Sequence, residues 1–491
     1  MTESLKKRTG KAIFWSFIDR FGTQLGSLAI QLILARLILP KYFGVVVTSM
    51  IVLNVMSVFI DAGFGAALIQ RKKINRTDIS TVFYFNVGIA VAVVAFLIST
   101  RQFIANYFEE SELAWVIPAL SLSMLAASFG QTQVQMLSKT LNFRLLTQLS
   151  LPSIVLGGAT GIVMALLGTN IWALIAQQIT TNGVRSFLLW RSCPEEIQPD
   201  FSFSFESVKK LVGYSSGVFG GALFQRITQN LAGLIIAKSF GSEDLAFYDR
   251  ARLFQKSSTM PLVGMINRVL FPVFSEIQDD KPRIKSALRS GVPLAIGCAA
   301  PLMFWMMATA EHLVVVTVTD VWRDSIQYLR IVPIMGLTLV LSGIKANVIR
   351  SQGSGKLIFS LNLYRNSLII VGLVLTWQFG IMAMVVGQVV CFVLNMIVND
   401  YFTFRYTGYT MTEQWRDWLP TVLVSLAAAG VSLAIYFLAI ESHLVNLLIQ
   451  TIIFSAAYLL GCKLFDLEIY HRLVQIGKRI GNPKSTFESV Q

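Results

Sequence analysis

The feature that most constrains this chain is a succession of about fourteen apolar stretches, each of roughly 20 residues, divided by short polar breaks. Such a stretch crosses a bilayer as a helix, since lipid offers the backbone no hydrogen-bond partners. Charged residues make up only 14% of the chain, against about 25% in a soluble protein. The sequence therefore predicts an all-α integral membrane protein. Its predicted spans lie near residues 12–37, 43–69, 80–100, 113–137, 146–168, 170–190, 211–237, 245–270, 289–309, 326–349, 357–377, 380–403, 417–439 and 444–463.

The lysines and arginines predict how the chain crosses the membrane. With the N-terminus in the cytoplasm, 27 of the 41 basic residues fall in inner segments, 5 in outer segments and 9 within spans. Cytoplasmic segments of membrane proteins carry such an excess of positive charge. We therefore expect both termini in the cytoplasm. We also expect the net charge of +14 to face membrane lipids and not nucleic acid.

The connections between the spans are too short to hold a catalytic domain. The longest, around residues 191–210 and 271–288, contain about 20 residues or fewer. The four cysteines lie far apart and the three histidines fall at segment ends, so no metal-binding or Cys–His pattern can be read. We predict no enzyme activity, no catalytic residue, no cofactor and no metal.

An internal repeat divides the spans into two groups. Leu32–Arg36 (LILAR) in the first span matches Leu234–Lys238 (LIIAK) in the seventh, each just before an outer loop. A separation of six spans preserves orientation, so an axis along the membrane normal would relate the groups. The repeat predicts two pseudo-symmetric six-helix lobes around a central cavity, followed by two further helices. The predicted divisions are residues 1–194 and 195–408 for the lobes, 409–466 for the two helices and 467–491 for a cytoplasmic tail.

Charges inside the eighth span indicate that a polar cavity lies beside it. Lys238–Pro272 is long and mostly apolar, yet its outer half contains Asp249, Arg250, Arg252 and Lys256. A charge at the centre of a membrane helix costs about 2.5–3.5 kcal/mol on insertion scales. Such a charge is therefore usually kept where it faces water, a partner or a substrate.

Several other spans carry polar side chains on one helical face. Asn, Gln and Ser at such positions often serve only to join helices, whereas deep Arg and Lys indicate a ligand or an internal ion pair. The predicted stripes are Arg20, Thr23, Gln24, Ser27 and Gln31; Asn54, Ser57 and Asp61; Gln225, Arg226, Gln229 and Asn230; Asn362, Arg365 and Asn366; and Gln388, Asn395 and Asn399.

The buried cations outnumber the buried carboxylates, which predicts an anionic ligand. Guanidinium groups bind phosphate oxygens bidentately, so we expect a phosphate- or pyrophosphate-bearing molecule. The carboxylates Asp19, Asp61 and Asp249 would either hold the cations in place or carry a coupled H⁺ or Na⁺; the first role is favoured because a carboxylate beside arginine stays ionised. The predicted substrate-binding residues are Arg20, Gln24, Arg226, Gln229, Arg250, Arg252, Lys256, Lys345 and Arg365.

An ordered set of stretches resembles the Wzx-type polysaccharide flippases of the multidrug/oligosaccharidyl-lipid/polysaccharide exporter superfamily. The set runs from the first span to just past the eighth. It comprises LARLILPKYFG (Leu34–Gly44), DAGFGAALIQRKKI (Asp61–Ile74), TVFYFNVG (Thr81–Gly88), LIIAKSFGSEDLAFYDRARLF (Leu234–Phe254) and NRVLFPVFSEIQDD (Asn267–Asp280).

The resemblance implies a V-shaped, two-lobed fold that alternates between inward-open and outward-open states. It also implies a bacterial inner-membrane protein that carries undecaprenyl-pyrophosphate-linked oligosaccharide from the cytoplasmic to the periplasmic leaflet, for exopolysaccharide or O-antigen biosynthesis. A polysaccharide polymerase and a chain-length regulator are the partners that the family suggests. The family has no catalytic signature, so the predicted site residues rest on depth and charge.

Two alternatives remain at this stage. A cation-coupled exporter of small drugs would keep the fold, but it would favour an acidic cavity. A membrane polysaccharide polymerase or ligase would call for a substantial periplasmic loop with Arg or His, which the short outer connections do not provide.

Overall fold

The computed structural model describes residues 15, 22–61, 64–65, 68, 74–351, 355–434 and 441–472, and every extended regular element in these ranges is a helix. We number the α-helices in chain order. They are α1 (22–37), α2 (Pro40–Asp61), α3 (Arg76–Phe108), α4 (Leu113–Lys139), α5 (Phe143–Leu166), α6 (Ile171–Ser192), α7 (Phe205–Ser239), α8 (Ser242–Glu276), α9 (Lys281–Ala308), α10 (Ala310–Val318), α11 (Ser325–Leu329), α12 (Pro333–Ser351), α13 (Gly355–Thr376), α14 (Ile381–Thr407), α15 (Met411–Leu433) and α16 (His443–Leu464).

Each predicted span overlaps one of the fourteen longer helices, α1–α9 and α12–α16. Over the described ranges, nine helical segments are long and apolar enough to cross a membrane. The helices outside that group include α7 and α8, whose many polar side chains lower their mean hydropathy. The total of fourteen crossings therefore stays a prediction.

Contacts divide the chain into two compact units, Met1–Arg250 (unit 1) and Ala251–Gln491 (unit 2), with the boundary inside α8. The lobe boundaries predicted from the repeat, and the central cavity between the lobes, stay predictions.

Unit 1 is built from helices that pack in pairs. Helix α4 packs on α3 and α6, α5 packs on α6, and α2 packs on α4 and α7. Two glycines on α5 allow α5 and α6 to pack closely. A Cβ at Gly157 would lie 1.9 Å from Thr181 Oγ1, and a Cβ at Gly161 would lie 2.7 Å from Gln177 Cβ. Small residues permit this close approach of membrane helices.

Unit 2 is built around α9, which packs on α12 and α15. Helix α14 packs on α12 and α13, and α16 packs on α15. The face of α9 toward its neighbours is fully buried at Leu288, Ile296 and Ala300. A Cβ at Gly297 would lie 2.7 Å from Ile469, so glycine allows the segment after α16 to pack against α9.

Candidate functional site

The first candidate site is a cavity of about 600 Å³ in unit 1, which we call the amide cavity. Helices α2, α4 and α7 each present it with two polar side chains spaced four residues apart, the spacing of one helical face. These pairs are Ser57 and Asp61, Gln131 and Gln135, and Gln225 and Gln229; Arg226 adds a cation.

Asp61 is held by both glutamines of α4. Its Oδ1 accepts hydrogen bonds from Gln131 Nε2 and Gln135 Nε2, each at 3.1 Å. A third neighbour shapes this contact, since a Cβ at Gly65 would lie 2.2 Å from Gln135 Nε2 and 2.8 Å from Asp61 Oδ1. Glycine at position 65 therefore leaves room for the carboxylate–amide contact.

The second candidate site is a cavity of about 180 Å³ in unit 2, which we call the arginine cavity. Helices α8, α12, α13 and α14 line it, and none of the described residues in its wall is acidic. The guanidinium groups of Arg350 and Arg365 are close enough to interact electrostatically. Its polar lining consists of Asn267, Ser342, Arg350, Asn362, Arg365, Asn395 and Asn399.

Hydrogen bonds within unit 2 fix some of the carboxamides in this wall. Asn347 Nδ2 donates to Asn267 Oδ1 at 2.8 Å, and Asn399 Nδ2 donates to the Asn395 carbonyl at 3.0 Å. The arrangement supplies hydrogen-bond donors and two positive charges to a small ligand. Donors and cations without a carboxylate favour an anion.

Lys345 lies one residue from the arginine-cavity wall but outside it. Its ammonium group pairs with the Asp400 carboxylate, and both side chains are fully buried. Trp415 Nε1 donates to the other carboxylate oxygen at 3.1 Å, and Gln414 Nε2 donates to the Asp400 carbonyl at 3.0 Å. This contact joins α12, α14 and α15, so the predicted substrate-binding role of Lys345 remains a prediction.

Arg250 is also packed into protein. Its side chain is 4% exposed, its guanidinium carbon lies 4.7 Å from the centre of the Phe43 ring, and Nη1 donates to the Gln31 carbonyl at 3.4 Å. The next predicted cations along α8, Arg252 and Lys256, are half-buried and belong to unit 2. The charges of α8 are thus divided between the two units.

The remaining predicted residues have different placements. Gln24 and Asp249 are half-buried, outside the walls of the two cavities. Asp19 and Arg20 lie outside the described residues. Over the described ranges, no group of three or more His, Cys, Asp or Glu side chains could hold a metal ion.

Sequence reasoning missed five polar residues in the cavity walls, namely Gln131, Gln135, Asn267, Ser342 and Arg350. Gln131 and Gln135 carry a usable signal, because two glutamines four residues apart in an apolar helix share one face. Arg350 is one of the basic residues that the predicted topology assigns to an inner segment, yet its side chain lines a cavity. Asn267 lies near the end of the predicted span 245–270, where it belongs to none of the predicted polar stripes.

The same arrangement of helices occurs in a solved transporter. The structure superposes on that of the lipid II flippase MurJ in its inward closed conformation with a TM-score of 0.73, at 14% identity, over 94% of this chain and 100% of that one. The fold is that of an all-α, multi-pass membrane protein, which confirms the predicted fold class.

The sequence comparisons then assign the family. Residues 33–327 match the family described as "Polysaccharide biosynthesis protein", and residues 360–463 match the GtrA/DPMS transmembrane domain. Because the first match covers more than half of the chain, this protein belongs to the polysaccharide biosynthesis protein family.

Two curated relatives agree with this assignment. The lipopolysaccharide biosynthesis protein WzxC of Escherichia coli (strain K12) is 23% identical over 86% of this chain and 88% of its own length. The succinoglycan biosynthesis transport protein ExoT of Rhizobium meliloti (strain 1021) is 27% identical over 70% and 68%. The resemblance to polysaccharide flippases is thereby confirmed.

Proposed function

We propose that this protein is a flippase, and not an enzyme, that translocates undecaprenyl-pyrophosphate-linked oligosaccharide across the bacterial inner membrane by alternating access. The family and its relatives support transport in polysaccharide biosynthesis. The observation that carries the chemical class of the substrate is the arginine cavity, where two guanidinium groups and four asparagines meet with no acid among the described wall residues. Such a wall fits phosphate oxygens.

Each cavity, taken by itself, offers chemistry that suits one part of this substrate. In the arginine cavity, Arg350 and Arg365 would bind pyrophosphate oxygens, with the asparagine amides as further donors. In the amide cavity, the carboxylate of Asp61 and the surrounding carboxamides offer both acceptors and donors, which suits sugar hydroxyls. In the same cavity, Arg226 would supply a cation to an acidic sugar.

The direction of transport and the partners belong to the same proposal. The sugar head would move from the cytoplasmic to the periplasmic leaflet, with both termini of the protein in the cytoplasm. A polysaccharide polymerase and a chain-length regulator would act on the delivered unit. The basic segments on the cytoplasmic side would face anionic lipid headgroups.

The test is flipping in proteoliposomes loaded with a fluorescent undecaprenyl-pyrophosphate oligosaccharide. We expect protein-dependent exposure of the sugar by the wild type and a loss of most of it in Arg365→Gln. The matched control is Arg405→Gln, which removes an exposed guanidinium in the last turn of α14, outside the arginine cavity. This variant should flip at the wild-type rate.

Two results would contradict the proposal. Wild-type flipping by Arg365→Gln would show that the arginine cavity does not bind the pyrophosphate. No flipping of any lipid-linked glycan, together with uptake of a soluble organic cation, would favour a drug exporter.

A further inference from the structure

The connection between α6 and α7 presents a row of aromatic side chains outside the two cavities. Residues 201–205 read Phe-Ser-Phe-Ser-Phe, and we call them the Phe–Ser segment. Phe201, Phe203 and Phe205 are 101%, 46% and 80% exposed, whereas Ser202 and Ser204 are half-buried. The backbone before Phe205 has no regular hydrogen-bonded structure. The alternation therefore places serines on one side and aromatic rings on the other.

The serine side is tied to the first turns of α3. Ser80 Oγ accepts from the Asp200 backbone N–H at 2.8 Å and donates to its carboxylate at 2.6 Å. The same carboxylate accepts from the Ser202 backbone N–H at 3.0 Å, and Thr81 Oγ1 accepts from the Ser204 N–H at 3.0 Å. Every second backbone N–H from residue 200 to 204 thus has a side-chain acceptor.

The tether also persists over a wide range of pH. Hydrogen bonds from the Ser202 hydroxyl, Ser80 and the Ser202 backbone lower the pKa of Asp200 to about 2. The carboxylate therefore keeps its charge and its acceptor role at any physiological pH. Asp200 Oδ2 also lies 3.7 Å from Arg76 Nε at the start of α3.

The tether sets the depth of the segment relative to the bilayer. Helix α3 is one of the helices able to cross a membrane, and it begins at Arg76. Ser80 and Thr81 lie only one turn inside it, or about 6–8 Å along its axis at 1.5 Å per residue. Rings held at that level meet the boundary between headgroups and acyl chains, where interfacial apolar side chains are buried about 5–10 Å deep.

The backbone chemistry is consistent with this location. Irregular backbone is tolerated at membrane depth where protein satisfies its polar groups, and here serine, threonine and aspartate accept the N–H groups of residues 200, 202 and 204. Phe203 and Phe205 pack edge to face, with ring centroids 5.3 Å apart, so they form one apolar surface. Phe187 on α6, 68% exposed, is another aromatic side chain of this unit that would face lipid.

We infer that the Phe–Ser segment is a membrane anchor, whose three phenylalanine rings insert into the headgroup–acyl boundary of the leaflet at this end of unit 1. Charge does not draw it there, because exposed Glu195 and Glu196 on the preceding turn offset exposed Arg191 and Lys209. Burial of aromatic surface holds the segment to the membrane. The bound partner is lipid, and the serines keep the rings turned toward it.

Spin-label accessibility in nanodiscs of phosphatidylethanolamine and phosphatidylglycerol tests this inference. Cys298→Ser is the background, since Cys298 is the exposed cysteine and Cys193, Cys391 and Cys462 are buried. Labels are placed by Phe201→Cys and Phe205→Cys, with Glu196→Cys as the matched exposed control. We expect a several-fold higher ratio of oxygen to nickel-chelate collisions at 201 and 205 than at 196.

Two results of the labelling experiment would overturn the anchor. Nickel-chelate accessibility at 201 and 205 equal to that at 196 would place the rings in water. Immobile labels shielded from both reagents would indicate that protein covers the segment. In purified material that protein would be a second copy of the chain. Bromolipid quenching of Phe201→Trp, after subtraction of the wild-type signal, checks the depth without a bulky label. No added quenching there would also count against lipid contact.

Discussion

At the scale of single residues, an ionic contact lies next to the wall of one cavity and an amide contact lies in the wall of the other. Lys345 and Asp400 are paired inside unit 2, next in sequence to Ala346 and Asn399, which line the arginine cavity. Asp61 is paired with two glutamines inside unit 1 and lines the amide cavity itself. The first contact joins helices outside the wall of the arginine cavity, and the second lies in the wall of the amide cavity.

Removing one member of the buried ion pair should be costly. Lys345→Met leaves Asp400 buried without its cation, and we expect a loss of about 3–5 kcal/mol in the free energy of unfolding. The double variant Lys345→Met/Asp400→Leu removes both charges and should recover most of that loss. Thermal unfolding of both variants in detergent measures the difference; a double variant no more stable than the single one would contradict this reading.

A methyl group at position 65 should change transport more than stability. In Gly65→Ala the new Cβ displaces the end of the Gln135 side chain, which is flexible, so the hydrogen bond to Asp61 is lost while the helices stay packed. We expect slower flipping with a melting temperature close to that of the wild type. Gly88→Ala, where nothing lies within 4 Å of the added Cβ, is the control. Equal flipping rates in the three proteins would show that the Gln135–Asp61 contact is dispensable.

At the scale of helices, most contacts are apolar, but α10 and α16 are joined by imidazoles. His312 Nδ1 and His443 Nδ1 lie 2.9 Å apart, and His312 is 5% exposed. One ring must donate and the other accept, which requires that at least one imidazole be neutral. Burial, together with the neighbouring His443, lowers the pKa of His312, and Glu311 opposes this shift. The Glu311 carboxylate in turn lies near two cations: its Oε1 is 3.9 Å from Arg323 Nη2, and its Oε2 is 3.7 Å from Arg330 Nη2.

Acidification should therefore weaken the contact between α10 and α16. Because the folded-state pKa of His312 is lowered, its contribution to stability is present above the ordinary histidine pKa of about 6.5. The contribution is lost as the pH falls through the lowered value. We expect the melting temperature of the wild type to fall from pH 7.5 to pH 5 more than that of His312→Gln/His443→Gln. Equal decreases in the two proteins would rule out a role of the pair.

At the scale of the whole molecule, contacts within each unit respect the predicted sides of the membrane. In unit 1, Lys238 Nζ in the last turn of α7 lies 2.6 Å from Oε1 of Glu109, which follows α3, and both helix ends are predicted to lie outside. In unit 2, Lys285 Nζ and Glu413 Oε2 lie 2.8 Å apart at two segments assigned to the inside. A pairing of inner with outer loops would have contradicted the predicted topology.

Reporter fusions test this topology directly. We expect alkaline phosphatase to be active when fused after Glu110 and inactive after Asp280. Green fluorescent protein should fluoresce after Asp280 and at the C-terminus. Phosphatase activity at the C-terminus would mean an odd number of crossings or a periplasmic N-terminus.

The sequence by itself determined the class of protein, the helices and their polar faces. Lipid forces each crossing segment to be a long apolar helix, so the spans can be read from composition alone. A stripe such as Asn362 and Arg365 follows from helical spacing, and both residues do line one cavity. These features are local, and local sequence is sufficient to specify them.

Only the tertiary structure decided which faces meet. Periodicity places Gln131 and Gln135 on one side of α4, but it cannot say that this side faces Asp61 of α2. Periodicity likewise could not distinguish Lys345, which forms an ion pair with Asp400, from Arg365, which lines the arginine cavity. Both are deep cations in apolar helices, and their surroundings differ because a carboxylate 55 residues away reaches one of them. The helix packing that makes such pairs is a property of the folded chain.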